Sequence, residues 1–361
     1  MNFKVTPLSL KKKIICELGC QLEKINVKEH VLREIFWECT LRCNLNCRHC
    51  GSDCRKTSDF KDMPMEDFLQ VLDNVASHTN PNRVFISVTG GEPLMRQDLE
   101  ICGEEIYKRG FAWGMVTNGL LMTRERLEGL IKAGLHSVTV SLDGLEEDHN
   151  WMRGNPNSFE KAVSAIKLLC NTPMLGFDVV TCVNKRNLPR LEELKRFLIS
   201  IGLKRWRIAT ITPMGRAATD DDLQLSSEEF REVMEFIRRS RKESEIAVKY
   251  ACEGFLGNYE TEVRSTLYSC NAGVRTASVL IDGSISACAS IRSNYHQGNI
   301  YEDDFMEVWN NRFQPYRNRE WMRKGVCADC DYFRYCRGNG MHLRDENGDL
   351  YFCHLKKLKN K

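Results

Sequence analysis

Five cysteines fall inside the seventeen-residue stretch ECTLRCNLNCRHCGSDC at positions 38–54. Thiolates at such density bind soft metals or iron–sulfur clusters. Only Cys43, Cys47 and Cys50 make a CxxxCxxC triple: counted from Cys39 the third ligand would be Asn46, and counted from Cys47 the second would be Gly51. Three thiolates on one loop suit a cubane cluster that leaves one iron without a protein ligand, whereas structural zinc takes four ligands and closes its site. That vacancy is a place for a substrate or cofactor. A second group comprises Cys270, Cys288, Cys327, Cys330, Cys336 and Cys353, and the CADC of residues 327–330 would also serve as a zinc knuckle. The long middle holds only Cys102, Cys170, Cys182 and Cys252. Cys16 and Cys20, one helical turn apart, share a face of a predicted helix, and core packing accounts for them as for Cys39, Cys54, Cys102, Cys170 and Cys182.

Composition narrows the setting. The chain has 361 residues, 17 cysteines, and 52 basic against 49 acidic side chains, a formal charge of +3. That balance points to no nucleic acid and no acidic membrane surface as partner, and the lysine run at 11–13 is too short to change it. No signal-peptide pattern opens the chain and no apolar run reaches a membrane span, so a cytoplasmic protein is expected. There, an odd and large cysteine count argues for metal or cluster binding over disulfides.

The elements that must position these cysteines are legible between the two groups. EIFWECT at 34–40 reads as a strand and PMEDFLQVLDNVASH at 64–78 as a helix with Phe68, Leu69, Leu72 and Val75 on one face. Five more strand–helix units follow, with strands in 83–91, 111–119, 136–144, 176–184 and 205–213. Consecutive units of this kind imply parallel strands with right-handed crossovers and active residues at the strands' carboxyl ends. The expected fold is α/β, a partial (β/α)6 TIM-like barrel with a small C-terminal cysteine-rich extension. Residues 1–31 form a helical lead-in, 32–245 the core and 246–361 the extension. Within the extension, SVLIDGSISA at 278–287 predicts a hairpin turning on two residues, Asp282 and Gly283.

With the cysteine loop directly after the first strand, CNLNCRHC resembles the signature of the radical S-adenosylmethionine superfamily, and the resemblance runs over residues 32–355. TGGEP at 89–93, ending the second strand, is similar to that family's cofactor loop, which implies that Gly90, Gly91, Glu92 and Pro93 meet the methionine amino group. TNG at 117–119 and SLDG at 141–144 resemble its ribose and carboxylate contacts, implicating Asn118, Ser141 and Asp143, with Arg153 a further carboxylate partner. The tail resembles the SPASM extension, which implies auxiliary 4Fe-4S clusters: a farther one on Cys327, Cys330, Cys336 and Cys353, and a nearer one on Cys270 and Cys288. Where that pattern has a further cysteine this chain has Gly340, so the nearer cluster is absent, keeps an open iron, or recruits Cys252 or His342; Cys252, shortly before Cys270, is the favoured substitute.

The resemblance implies a 4Fe-4S cluster that, fed by an external reductant such as flavodoxin or ferredoxin, cleaves S-adenosylmethionine to a 5'-deoxyadenosyl radical, which then abstracts hydrogen from a substrate. A peptide or protein maturase is the first expectation, with a separate leader-binding protein as possible partner. A tetrapyrrole or other small-molecule enzyme is the second, and a non-catalytic metal-binding scaffold the third. Sulfatase maturation fits less well, because relatives with that activity place an aspartate where this chain has Ala289. No catalytic acid or base is assigned.

Overall fold

The computed structural model describes residues 7–251 and 253–359. A capped helix, α1 (Leu10–Glu29), precedes the first strand, β1 (Glu34–Thr40). Alternating units follow: α2 (Met65–His78), β2 (Phe85–Gly90), α3 (Leu99–Lys108), β3 (Ala112–Thr117), α4 (Arg124–Lys132) and β4 (Leu135–Ser141). After β4 come α5 (Glu146–Arg153), α6 (Ser158–Cys170), β5 (Gly176–Val183), α7 (Leu191–Ser200), β6 (Arg205–Thr210), α8 (Ser227–Ser240) and a strand the periodicity did not reveal, β7 (Ala247–Tyr250).

β1 to β7 pair in chain order, all parallel, as strand–helix repetition requires. The two faces of β1 show how the core is divided. Ile35, Trp37 and Cys39 are wholly buried against the helices, where Trp37 stacks on Phe68 of α2 with ring centroids 4.5 Å apart. Glu38, on the opposite, concave face, is also buried but ion-pairs with Arg292 at 2.6 Å. Cys39 and Cys102 are therefore core thiols, both at 0% exposure. No helix of the described residues is long and apolar enough to cross a membrane.

The C-terminal extension is not a separate bead. Its strand β8 (Thr276–Val279) pairs in parallel with β1, from Glu34 opposite Thr276 to Trp37 opposite Val279. β9 (Ser284–Ser286) and β10 (Gly298–Asn299) then continue the same sheet, giving the ten-strand order β10-β9-β8-β1-β2-β3-β4-β5-β6-β7. The sheet stays open between β7 and β10. The boundary expected at 245/246 falls one residue before β7.

The hairpin differs from expectation in its turn. Val279 pairs with Ile285 and Leu280 N–H donates to Ser284 O at 2.9 Å, so three residues, Ile281, Asp282 and Gly283, make the loop. Gly283 closes it at φ +82, a left-handed position that three-residue hairpins reserve for glycine. Beyond the sheet lie α9 (Phe305–Asn311), α10 (Gln314–Arg317), α11 (Phe333–Cys336) and α12 (His354–Lys357). α1 packs on α11, with Glu17 bonded to Arg334 and Tyr335, and Glu23 to Arg337.

Candidate iron–sulfur and cofactor site

The loop carrying Cys43, Cys47 and Cys50 leaves the carboxyl end of β1 and is held from several sides. Cys43 N–H donates to Arg55 O at 2.7 Å, and Arg48 N–H to Met152 O at the end of α5 at 2.9 Å. From β2, Gly91 N–H donates to Thr40 O at 2.7 Å and Glu92 N–H to Arg42 O at 2.9 Å. The turn at 89–93 thus has its N–H groups at Gly91 and Glu92 already occupied, and what it has left to offer a ligand is carbonyl oxygen, the acceptor an ammonium group needs. A side chain on Gly91 would strike the Arg42 carbonyl, one residue before Cys43. Its missing Cβ therefore serves loop-on-loop packing.

Glu92 is 1% exposed, and its carboxylate is fully engaged. One oxygen accepts from Leu94 N–H at 3.1 Å and Thr117 Oγ1 at 2.7 Å, the other from Asn118 N–H at 2.7 Å. It braces the ends of β2 and β3 against each other, while buried Pro93 starts a short 3₁₀ turn. Burial raises its carboxyl above the ordinary range. Asn118, so placed, reaches Asn44 Oδ1 at 2.8 Å and lies 3.9 Å from the Cys43 sulfur.

The end of β4, marked by Ser141, leads to Asp143, which is 0% exposed. Its Oδ2 lies 2.6 Å from Arg153 Nη2 and 3.7 Å from His49 Nε2, while Oδ1 accepts from Cys182 N–H at 2.9 Å. Burial would raise this carboxyl; Arg153, then His49 and His149, reverse that and hold it below its usual range. Arg153 also places Nη1 3.6 Å from the Cys47 sulfur, tying the β4 site to the cluster loop. Cys54, expected only to pack the core, faces Cys50 with both its thiol and its N–H, and this hydrogen bonding holds the Cys50 thiol below its ordinary range. His49, which had not been singled out, and Cys182, which was expected only to pack the core, join the site. His49 sits between two cysteines of the CxxxCxxC triple, and Cys182 is the penultimate residue of β5, positions that could have flagged both.

Besides Asp143 Oδ2, which has only its ion pair with Arg153, four buried polar atoms surround this spot with no hydrogen-bond partner: Asn44 Nδ2, His49 Nδ1, His149 Nε2 and Arg153 Nε. Buried polar groups in native proteins are nearly always satisfied. Orphans beside three cysteines therefore fit a polar ligand carrying carboxylate and ring acceptors together with a cluster.

In the tail, the buried Cys336 thiol feels Cys353, Cys327 and Cys330, so the four cysteines converge. Arg344, 1% exposed, places Nη2 3.6 Å from the Cys327 sulfur. Cys270 and Cys288 both act on Tyr316, and Arg319, 4% exposed, bonds Cys270 through its carbonyl at 3.3 Å and also through its sulfur. Neither Arg344 nor Arg319 has a carboxylate partner among the described residues. Beside Gly340, the volume a side chain would take is filled by the His342 ring, with Cε1 2.6 Å from where a Cβ would stand. Cys252 lies outside the described residues.

An open parallel sheet with a three-cysteine loop at its carboxyl edge, and a tail of converging cysteines, defines an α/β iron–sulfur enzyme with a ligand position left free. Family models agree: that of the Radical SAM superfamily matches residues 37–198, and that of the SPASM iron–sulfur cluster-binding domain residues 270–331. The chain is a radical SAM enzyme with a C-terminal SPASM domain, and its cofactors are S-adenosylmethionine, the 4Fe-4S cluster of the radical SAM site and SPASM auxiliary iron–sulfur clusters. It is 29% identical over 335 residues to the AdoMet-dependent heme synthase of Methanosarcina barkeri, covering 88% of this chain and 93% of that protein. It is 28% identical over 311 residues to the mycofactocin maturase MftC of Mycolicibacterium smegmatis, covering 85% and 78%. Among solved structures, anSMEcpe with bound AdoMet superposes with a TM-score of 0.70 at 20% identity, covering 90% of this chain and 95% of that one. Streptococcus suis SuiB gives 0.67 at 18% identity, covering 89% and 76%.

Proposed function

We propose that this enzyme is a peptide or protein maturase, holding a side chain of its substrate at the open carboxyl edge of the sheet. Bound at this edge, the cluster and S-adenosylmethionine supply a carbon radical able to remove hydrogen from an unactivated C–H bond. The chain's own residues then have distinct tasks. Cys43, Cys47 and Cys50 hold iron; the carbonyls of Gly90 and Gly91, with Asn118, Ser141, Asp143 and Arg153, orient the cofactor; the buried edge excludes water. The observation that carries the chemistry is the convergence of Arg153, Asp143 and Cys47, which ties a carboxylate-binding cation to the three-cysteine loop. The maturase reading is supported by the similarity to mycofactocin maturase along most of the chain.

A tetrapyrrole substrate is the second reading, favoured by the near full-length similarity to heme synthase. In either case Cys327, Cys330, Cys336 and Cys353 would hold the farther auxiliary cluster, which would supply an acceptor for the second electron of an oxidation, and flavodoxin or ferredoxin would serve as the external donor of the first. A separate protein presents a leader peptide, and the oxygen sensitivity of such clusters suits a reducing cytoplasm. The test is anaerobic turnover with reductant and S-adenosylmethionine, against candidate precursor peptides and against iron–coproporphyrin. A peptide product lighter by hydrogen, formed in step with 5'-deoxyadenosine, supports the maturase. Consumption of the porphyrin alone replaces it with the second reading.

A further inference from the structure

The loop that follows β6 grips the three-cysteine loop through one side chain. Arg216 Nε donates to Cys47 O at 2.7 Å, and its Nη1 to Cys54 O at 3.0 Å and Asp53 Oδ1 at 2.6 Å. Its own N–H donates to Cys50 O at 3.1 Å. One residue thus reaches four points of the stretch from Cys47 to Cys54. Its neighbour Gly215, at φ +54, lets the two loops touch: a Cβ there would stand 2.5 Å from Gly51 O. A second tie, Arg48 to Asp220 at 2.7 Å, joins the same two loops. The Arg216 side chain is 17% exposed, whereas its acidic partner Asp53 is 49% exposed and better screened by water.

We propose that Arg216 is a positioning residue of the radical-forming site, clamping the cluster loop and supplying a fixed positive charge that raises the cluster's reduction potential. Reduction adds negative charge to a cluster, and a guanidinium bonded to the carbonyl of the ligand residue Cys47 in a partly dry site stabilises the reduced form. Hydrogen bonds to backbone carbonyls from a charged donor also resist opening of the loop. The proposal rests on Cys43, Cys47 and Cys50 being the radical SAM ligands, which the triple alanine variant below decides independently.

Arg216→Gln and Arg216→Lys separate the two effects. The readouts are iron loss to an external chelator and the midpoint potential of the reduced paramagnetic signal that the Cys43, Cys47, Cys50 triple variant lacks. Arg216→Gln is expected to lose iron about tenfold faster, having given up a charged donor to three acceptors, and to show a more negative potential. Arg216→Lys keeps the charge without the fork, so it should lose iron faster at a potential near that of the parent. Parent-like potential and iron loss in Arg216→Gln would overturn the proposal. A potential equally lowered in both variants overturns the charge effect. If Arg216→Gln takes up no iron, Arg216→Lys carries the test: faster loss at unchanged potential supports the clamp, and unchanged loss overturns it.

Discussion

Arg153 Nη2 stands 2.6 Å from Asp143 Oδ2, and both side chains are almost wholly enclosed, at 9% and 0% exposure. A buried ion pair is strongly interdependent, because removing one partner leaves an uncompensated charge in a low dielectric. Arg153→Met should therefore destabilise the iron-free protein by about 3–5 kcal/mol, measured by urea unfolding. The double variant Arg153→Met, Asp143→Asn should recover much of that. Equal losses in the single and double variants would show that the pair is not coupled.

In the proposed function the three-cysteine loop carries the radical chemistry. Changing Cys43, Cys47 and Cys50 together to alanine should abolish reductive cleavage of S-adenosylmethionine to 5'-deoxyadenosine in anaerobically reconstituted protein. Cys39→Ala, altering a thiol on the helix-packed face of β1, should leave cleavage largely intact. Chromatographic assay of 5'-deoxyadenosine decides both, and cleavage surviving the triple change would remove these cysteines from the mechanism.

Gly91→Val tests what the missing Cβ is for. Because the intruding side chain would meet the Arg42 carbonyl next to Cys43, the variant should lose iron and cofactor binding together. Iron analysis paired with calorimetric titration of S-adenosylmethionine separates the cases. Full iron content with binding lost would mean that the glycine makes room for the cofactor itself.

The auxiliary iron can be counted in the triple variant. Buried Arg319, without a carboxylate, needs negative charge at Cys270, and the His342 ring fills the place a side chain at position 340 would occupy, so two auxiliary clusters and about eight irons per chain are expected. His342→Ala should bring the count to about four. A count of about four before that change means that only the set of Cys327, Cys330, Cys336 and Cys353 loads.

Acid should weaken the fold through His149, whose imidazole burial lowers from 6.5 to about 3. Its Nδ1 accepts from Asp143 N–H at 3.0 Å, so the native ring is neutral. The unfolded chain binds the proton first as pH falls; this contribution is complete above about 6.5 and is lost as pH falls through the native value. Urea midpoints of the iron-free protein should drop across that window. His149→Asn, which keeps an acceptor near Nδ1 but cannot take a proton, should flatten the slope, and an unchanged slope would assign it to other groups.

The amino-acid sequence by itself singled out one candidate triple, because one register alone satisfies CxxxCxxC, and it determined six strand–helix units, because a two-residue alternation and a helical apolar stripe are local patterns. The turn at Gly283 was misread by one residue, since hairpin register depends on which strand residues pair and not on the turn pair alone. What tertiary structure decided was everything that joins distant segments. β8 adds to β1 across more than two hundred residues, so the cysteine-rich tail extends the sheet. Arg216, Arg319 and Arg344 look like ordinary surface cations in a chain with 52 basic residues. Only folding places their guanidiniums against cysteine carbonyls and sulfurs, where water screens a fixed positive charge less and thiolates or a cluster become its natural counterpart.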